Sequence, residues 1–336
     1  MEIGFFFWPY DPALVNRMAV AGDRYGYDMI GIADTPGNAM DPWVVATMVA
    51  LNTENSRIGL VVTNLVSREP AVSAAAIASL DLVAPERTVL GIGAGHSGTA
   101  NLGMERSGLN EMASGIRHIK TLLDGEPDSL NGGPAHIPWI KRSPKVFLAA
   151  SGPRTLSLGG AVADGLFINY GITADNIAQS EKRVQEGLTE AGRTTDDVEI
   201  WQIASLECNE NATEARTKAG AILAFMAGGY ILSTPDLLQQ GVPEEFHAPI
   251  MELRKRYSTR PGAADAALVH ELGLFDYLAG RFAICGTPDQ CLEQILDAHM
   301  AGLRRVMFTV SVASDPAKTV ELFGEKVLPR LRDEIS

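Results

Sequence analysis

Thr63-Asn64-Leu65-Val66-Ser67-Arg68-Glu69-Pro70-Ala71-Val72 follows directly on an apolar, β-branched run, Ile58 to Val62, of the kind that forms a buried strand. It leads into small residues at helical spacing, Ala71 to Leu82, and then into a second strand-like run, Thr88 to Ile92, which ends in Gly93-Ala94-Gly95-His96-Ser97-Gly98. Strand, polar loop, helix, strand, glycine loop is the repeat of a parallel α/β enzyme, whose ligands meet the carboxyl ends of the strands.

The unit recurs on both sides. Strands are expected at Ile3–Trp8, Met29–Ala33, Ile58–Val62, Val89–Ile92, Val146–Ala149, Gly165–Ile168, Glu199–Leu206 and Val306–Val310. Helical patterns separate them, at Pro12–Tyr25, Pro42–Asn52, Ala71–Leu82, Leu109–Leu123, Arg154–Val162, Ala174–Ala191 and Thr213–Ala227. Eight strands alternating with helical patterns over 336 residues predict an α/β fold of the (β/α)8 TIM-barrel class, with 1–336 as one domain. Asp124 to Ser143, rich in Gly, Pro and Asn, reads as an irregular loop before the fifth strand. Residues 228–278 read as a helical insertion between strands seven and eight, with patterns at Pro235–Gln240, Glu244–Tyr257 and Ala263–Leu272. Insertions on the catalytic face shape or cover a pocket. Gly286-Thr287-Pro288-Asp289-Gln290 reads as a helix start, with Thr as N-cap and Pro at the first helical position.

Composition narrows the function. A hydrophobic share of 46% supports one large core. No apolar run reaches the roughly 18 residues of a membrane helix. The start, Met1-Glu2-Ile3-Gly4-Phe5-Phe6-Phe7, lacks the basic region and cleavage site of a signal peptide, so a cytoplasmic protein is expected. The net charge of −13 argues against nucleic acid as a partner. Cys208, Cys285 and Cys291 form no CxxC pair and read as reduced structural thiols. The histidines show no HxxxH or HxH spacing, so no metal centre is expected. No GxSxG elbow or GxxxxGK[ST] loop occurs.

Strand ends supply the candidate site. Asp34 ends the second strand, where a carboxylate either orients a hydroxyl or tunes a proton in the barrel mouth, or caps its own turn. Thr63 and Asn64 offer neutral hydrogen bonds suited to the edge of a heterocycle. Gly93 and Gly95 open a loop that lets a ligand approach the backbone; a dinucleotide turn and a purely structural turn are the alternatives. His96 sits at the same strand end and changes charge near neutral pH, as a proton donor or substrate-orienting group does. Trp8 and Tyr10 are either aromatic walls for a flat substrate or plugs for the barrel end. Ala150-Ser151-Gly152-Pro153-Arg154 turns from strand to helix and suits a phosphate, through exposed N–H groups and one cation, or else is a plain N-cap.

Taken together, Val61-Val62-Thr63-Asn64 with Arg68 and Pro70-Ala71-Val72, Arg87-Thr88-Val89-Leu90-Gly91-Ile92-Gly93-Ala94-Gly95, Ala149 to Arg154, Ala163-Asp164-Gly165 and Gly286-Thr287-Pro288 resemble the bacterial-luciferase-like flavin/deazaflavin superfamily. The resemblance is nearest to its F420-dependent branch, which includes methylenetetrahydromethanopterin reductase. It implies a deazaflavin or flavin in the barrel mouth, usually a dimer, and a bulged third strand with a non-prolyl cis peptide at Val61–Val62 backing the cofactor ring. It also implies the strand-two carboxylate at Asp34 and phosphate and tail contacts at Ser151, Gly152 and Pro153. Two departures stand out. Many relatives carry Thr-Asn-Pro where this chain has Thr63-Asn64-Leu65, and Gly-Asp where it has Gly95-His96.

The expected activity is an F420-dependent oxidoreductase that moves a hydride between the deazaflavin C5 and a small organic substrate. Asp34, Asn64 and His96 are the expected catalytic groups, and Trp8, Tyr10 and His96 the expected substrate contacts. Arg68 and Arg154 are candidate cations for the cofactor's anionic tail. The alternatives are an FMNH2-dependent two-component monooxygenase and a non-catalytic flavin-binding protein. A homodimer is expected, served by a separate flavin or F420 reductase that recycles the cofactor.

Overall fold

Each apolar run of the repeat becomes a strand whose side chains are almost all buried. The strands are β1 (Glu2–Phe7), β2 (Met29–Ile32), β3 (Arg57–Asn64), β4 (Thr88–Gly93), β5 (Lys145–Ala150), β6 (Gly165–Ile168), β7 (Glu199–Cys208), β8 (Ala283–Gly286) and β9 (Arg305–Thr309). The computed structural model describes residues 1–230, 236–257, 266–310 and 315–335. The strands pair in the order β6-β5-β4-β3-β2-β1-β9-β7-β8, with a further pairing of β6 to β7. This is the closed eight-stranded ring of a (β/α)8 barrel, made by β1 to β7 and β9. The eight expected strands form that ring. The ninth, β8, was not expected: it directly follows the helix Phe275–Phe282, with no turn between them to mark its start. It pairs in parallel with the end of β7, Glu207 opposite Cys285 and Cys208 opposite Gly286.

The chain divides into two compact units. One comprises Phe6–Phe167 and Glu181–Trp201. Here β2 to β5 run parallel in consecutive pairs. Three helices of this unit start the same way, with an acid followed by proline. Asp11, Asp41 and Glu69 accept from first-turn N–H groups of Pro12–Tyr25, Pro42–Leu51 and Pro70–Val83, and the proline fills the first position, where no N–H is needed. At the amino ends of the strands, Glu199 accepts from Arg57 at 2.5 Å, Lys145 at 3.2 Å and the indole of Trp201 at 2.6 Å. Burial opposes its charge, but Arg57 and the other donors outweigh it and hold the carboxyl below the usual range. A cluster at this end of the strands serves stability.

The other unit comprises Met1–Phe5, Ile168–Ser180 and Gln202–Ser336. Its helical core packs Leu253, Val269, Leu274, Leu278 and Phe282, all fully buried, with the helices His247–Arg256, Leu268–Glu271 and Phe275–Phe282 contributing. Of the helical patterns expected in the insertion, Pro235 and residues 263–265 lie outside the described residues. Arg281 is buried within this unit and donates to the carbonyls of Tyr170, Gln240 and Gly241 and to the Tyr277 hydroxyl. Thr287 caps the helix Pro288–Met300 as expected, accepting from Gln290 N. Cys208 and Cys291 are buried free thiols and Cys285 is half-buried. Among the described residues, no helix is long and apolar enough to cross a membrane.

Glu207, at the end of β7, is 4% exposed. Burial pushes its carboxyl up from 4.5 to about 7, against the opposing charge of Lys218 and a hydrogen bond from Thr319. The folded state therefore keeps a proton that the unfolded chain releases above about pH 4.5. Stability from this group falls as pH rises from about 4.5 to about 7 and is level above that, a total of about 3 kcal/mol. Glu207→Gln is expected to flatten this slope and to raise stability at pH 8. Denaturant melts at pH 5 and pH 8 check it, and a wild-type slope retained in the variant would contradict it.

Candidate active site

Within the first unit, the carboxyl ends of β2, β3 and β4 meet around Asp34, which lies two residues beyond β2 with a fully buried side chain. Thr63, on β3, donates its hydroxyl to Asp34 Oδ2 at 2.6 Å. Arg68 Nε donates to the same oxygen at 2.7 Å, and its Nη2 reaches Asp34 Oδ1 at 3.3 Å and Asp41 Oδ2 at 2.9 Å. A buried carboxylate needs such pairing. The Asp34 hydrogen bond, more than any other contact, raises the Arg68 guanidinium above its ordinary value. Partial burial opposes the charge of Asp41, but Arg68 and the N–H groups of Trp43 and Val44 hold it below the usual range. Arg68, read in the sequence as a candidate tail contact, is thus the clasp that holds the loop after β3 against the loop after β2.

The Val61–Val62 peptide is cis. At this point the β3–β4 register shifts, passing from Leu60 opposite Leu90 to Thr63 opposite Ile92. The neighbouring strands make room with glycine. A Cβ on Gly31 would lie 2.7 Å from Val61 Cγ2; on Gly91 it would lie 2.3 Å from the Leu60 carbonyl oxygen; on Gly93 it would lie 2.8 Å from Val62 Cγ2. Val61 is buried and Val62 half-buried, so Val62 is the residue of the bulge with surface to offer a ligand. Gly91→Ala is expected to push the bulge out of place and to destabilise by about 2–3 kcal/mol, because the clash is with backbone. Urea melts check this, and a midpoint equal to wild type would contradict the packing described.

Asn64 is buried, and its Oδ1 accepts from Val66 N at 3.0 Å, Ser67 N at 2.8 Å and Ser67 Oγ at 3.1 Å. Its amide nitrogen makes no hydrogen bond among the described residues, so its donors are unused. Gly98 packs over it: a Cβ there would lie 3.6 Å from Asn64 Nδ2 and 3.0 Å from the Asp34 carbonyl oxygen. Gly98 belongs to a short helix, Ser97–Ala100, where the sequence shows no apolar period. Gly95 precedes it at φ +89°, where a Cβ would lie 2.3 Å from Thr99 Cγ2. His96 between them is half-buried.

Trp8 donates its indole N–H to Thr35 Oγ1 at 2.9 Å, and Thr35 Oγ1 lies 3.2 Å from Ser97 Oγ. The ends of β1, β2 and β4 are thereby joined by a chain of hydrogen bonds that terminates beside His96. Tyr10 is 54% exposed. Thr35 and Ser97 were missed in the sequence: each follows a singled-out residue, but nothing local distinguishes a hydroxyl that bridges strands from one that faces water.

At the end of β5, Ala150 is buried, Ser151, Gly152 and Pro153 are half-buried and Arg154 is exposed. Gly152 starts the helix Pro153–Val162 without a side-chain cap, and a Cβ on it would meet nothing within 4 Å. The first-turn N–H groups and Arg154, which has no ion-pair partner among the described residues, are open to an anion. Ala149 links this end to the bulge, its Cβ 3.9 Å from the Cβ position of Gly93. Among the described residues, no group of three or more His, Cys, Asp or Glu side chains could hold a metal ion.

Residues 10–305 match the family model described as luciferase-like monooxygenase. The 5,10-methylenetetrahydromethanopterin reductase of Methanolobus tindarius is 27% identical over 98% of this chain and all of its own length. Among solved structures, the coenzyme F420-dependent tetrahydromethanopterin reductase of Methanopyrus kandleri superposes with a TM-score of 0.79 at 22% identity, covering 98% of this chain and 100% of that one. An F420-dependent secondary alcohol dehydrogenase in complex with an F420-acetone adduct superposes with a TM-score of 0.74 at 17% identity, covering 99% of each chain.

Proposed function

From the premise that this chain belongs to the luciferase-like monooxygenase family, we propose that it is an F420-dependent oxidoreductase acting on a small organic molecule. The observation that carries this reading is the bulge at Val61–Val62, set between glycines of both neighbouring strands and adjoining unused donors on Asn64. A flat heterocycle with polar edges fits such a wall. The donor set suits the group: Val62 would back the ring, Asn64 Nδ2 would donate to an edge carbonyl, and the uncapped helix start at Gly152 and Pro153, with Ser151 and Arg154, would take the phosphate. Gly93 and Gly95 would let the ligand near the backbone, and Ala150, buried at the end of β5, would lead into the phosphate turn. When bound, F420 supplies hydride chemistry at C5.

The chain's own residues do the rest. Arg68 and Thr63 hold Asp34, and through it fix the end of β3, so Asp34 acts by positioning. His96, half-buried at the end of β4, can hold or release a proton beside the substrate. Trp8 and Tyr10 bound the substrate side. FMN is the second reading of the cofactor site, since the same helix start and Arg154 suit its phosphate; the family's description as monooxygenases favours weighing it.

We further infer a single working domain over 1–336, a cytoplasmic setting, a homodimer and a separate reductase that recycles the cofactor. The dimer has physical support. The helix Pro42–Leu51 carries no charged residue, and Asp81, the one charged residue of Pro70–Val83, is buried. Val44, Leu51, Val72, Leu82 and Val83 are exposed on these helices, an apolar face that a water-facing helix rarely keeps. The function is tested by anaerobic mixing of the protein with reduced F420 and small electrophilic substrates. Oxidation of F420 that needs both protein and substrate supports the reading; oxygen-dependent oxidation of FMNH2 in its place would overturn it.

A further inference from the structure

We propose that Ser97 is a substrate-contacting residue of this site and that the group it meets is an uncharged oxygen acceptor: a ketone or aldehyde carbonyl, or the hydroxyl of the corresponding alcohol. The inference rests on the hydride-transfer reading for its chemistry and on the Trp8–Thr35–Ser97 chain for its geometry.

The number of protons gives the chain a direction. An indole N–H only donates, so Thr35 Oγ1 accepts from Trp8. Thr35 and Ser97 bring two hydroxyl protons to one shared hydrogen bond, which uses one of them. Neither hydroxyl has another hydrogen-bond partner among the described residues, so one proton remains to be donated. Thr35 is 4% exposed and Ser97 half-buried, so the proton left over belongs to the accessible end, Ser97. Fixed donation from Trp8 into Thr35 polarises the chain outward, and successive hydrogen bonds of one sense strengthen each other.

A surplus donor calls for an acceptor. The charged groups near these strand ends are already committed, Asp34 to Arg68 and Thr63, and Arg68 to Asp34 and Asp41. What Ser97 offers is one neutral donor, which satisfies an uncharged oxygen; a carboxylate or phosphate would accept from it more strongly but, once desolvated, needs a countercharge that a hydroxyl does not supply. The chain starts at Trp8 and ends next to His96, two of the three groups assigned to the substrate, whereas the donors of Asn64 adjoin the bulge that would back the cofactor. Ser97 makes and breaks no covalent bond; it holds the substrate oxygen.

Cyclohexanone serves as the probe, titrated into the full-length, cofactor-free protein labelled at its indole nitrogens. The Trp8 indole N–H resonance is identified by its loss in Trp8→Phe. Cyclohexanone is expected to shift it in the wild type. Ser97→Ala is expected to weaken cyclohexanone binding about tenfold, the worth of one such hydrogen bond, while Ser97→Thr restores it and F420 affinity stays within twofold. Unchanged cyclohexanone affinity in Ser97→Ala, weakened F420 affinity in that variant, or tighter binding of cyclohexanecarboxylate than of cyclohexanone would each overturn the proposal. Failure of F420 to bind the wild type would overturn the cofactor reading separately, because the indole shift is read without cofactor.

Discussion

Asp34→Ala is expected to lower stability by about 2–3 kcal/mol and to weaken F420 binding at least about tenfold. The side chain is buried, and its removal strands the Thr63 hydroxyl and Arg68 Nε, which donate to it at 2.6 and 2.7 Å. Breaking a buried pair by removing one partner costs up to about 3–5 kcal/mol. The lower figure applies here because Arg68 is 22% exposed and keeps Asp41, so water and one carboxylate remain to it. The effect on the cofactor is indirect. Thr63 follows the bulge, and Arg68 ties the loop after β3 to the start of the helix Pro42–Leu51. Loosening that clasp displaces Val62 and Asn64 together. Asp34→Asn retains an acceptor for Thr63 and should fall between wild type and Ala in both measurements. Wild-type urea midpoints and F420 titrations in Asp34→Ala would show that the clasp does not organise the site.

Arg281→Met has the larger expected effect on stability, about 3–4 kcal/mol. The guanidinium donates to three backbone carbonyls and one phenol, and no carboxylate among the described residues pairs with it. Its charge is offset by carbonyl dipoles and by the Tyr170 and Phe282 rings, with centroids 5.6 and 5.0 Å away. Methionine fills much of the volume but leaves those acceptors buried and unpaired. Arg281→Lys should recover only part of the loss, since an ammonium cannot reproduce the planar fork. The contact joins Tyr170 to Gln240 and Gly241, so limited proteolysis should cut around Gly241 faster in both variants. Resistance and melting equal to wild type would contradict the clamp.

The fold was legible where physics is local. The helix start at Thr287-Pro288 was marked by its threonine–proline pair, and Pro12–Tyr25 and Leu109–Leu123 have the expected bounds because their apolar period is clear. The strand β8 and the helix Ser97–Ala100 were not legible: β8 follows the helix Phe275–Phe282 with no turn between them, and four residues hold no helical period. At the site, the strand-end rule brought out Asp34, Thr63, Asn64 and His96. It could not bring out what joins them. Arg68 lies 34 residues from Asp34 and Ser97 lies 62 from Thr35, distances over which a sequence carries no sign of pairing. The glycines opposite the bulge are a middle case. Gly93 was noticed as a loop signal and Gly91 only within the stretch that carries the resemblance, but their purpose, room for Val62 and the Leu60 carbonyl, exists only once β3 and β4 are side by side.

The central claim is that this site is built for F420. Its most direct test is a side-by-side titration of the purified apo protein with F420 and with FMN, followed by fluorescence quenching. The account predicts micromolar F420 binding with FMN much weaker. Tight FMN binding with weak F420 binding would contradict it and assign the site to flavin monooxygenase chemistry.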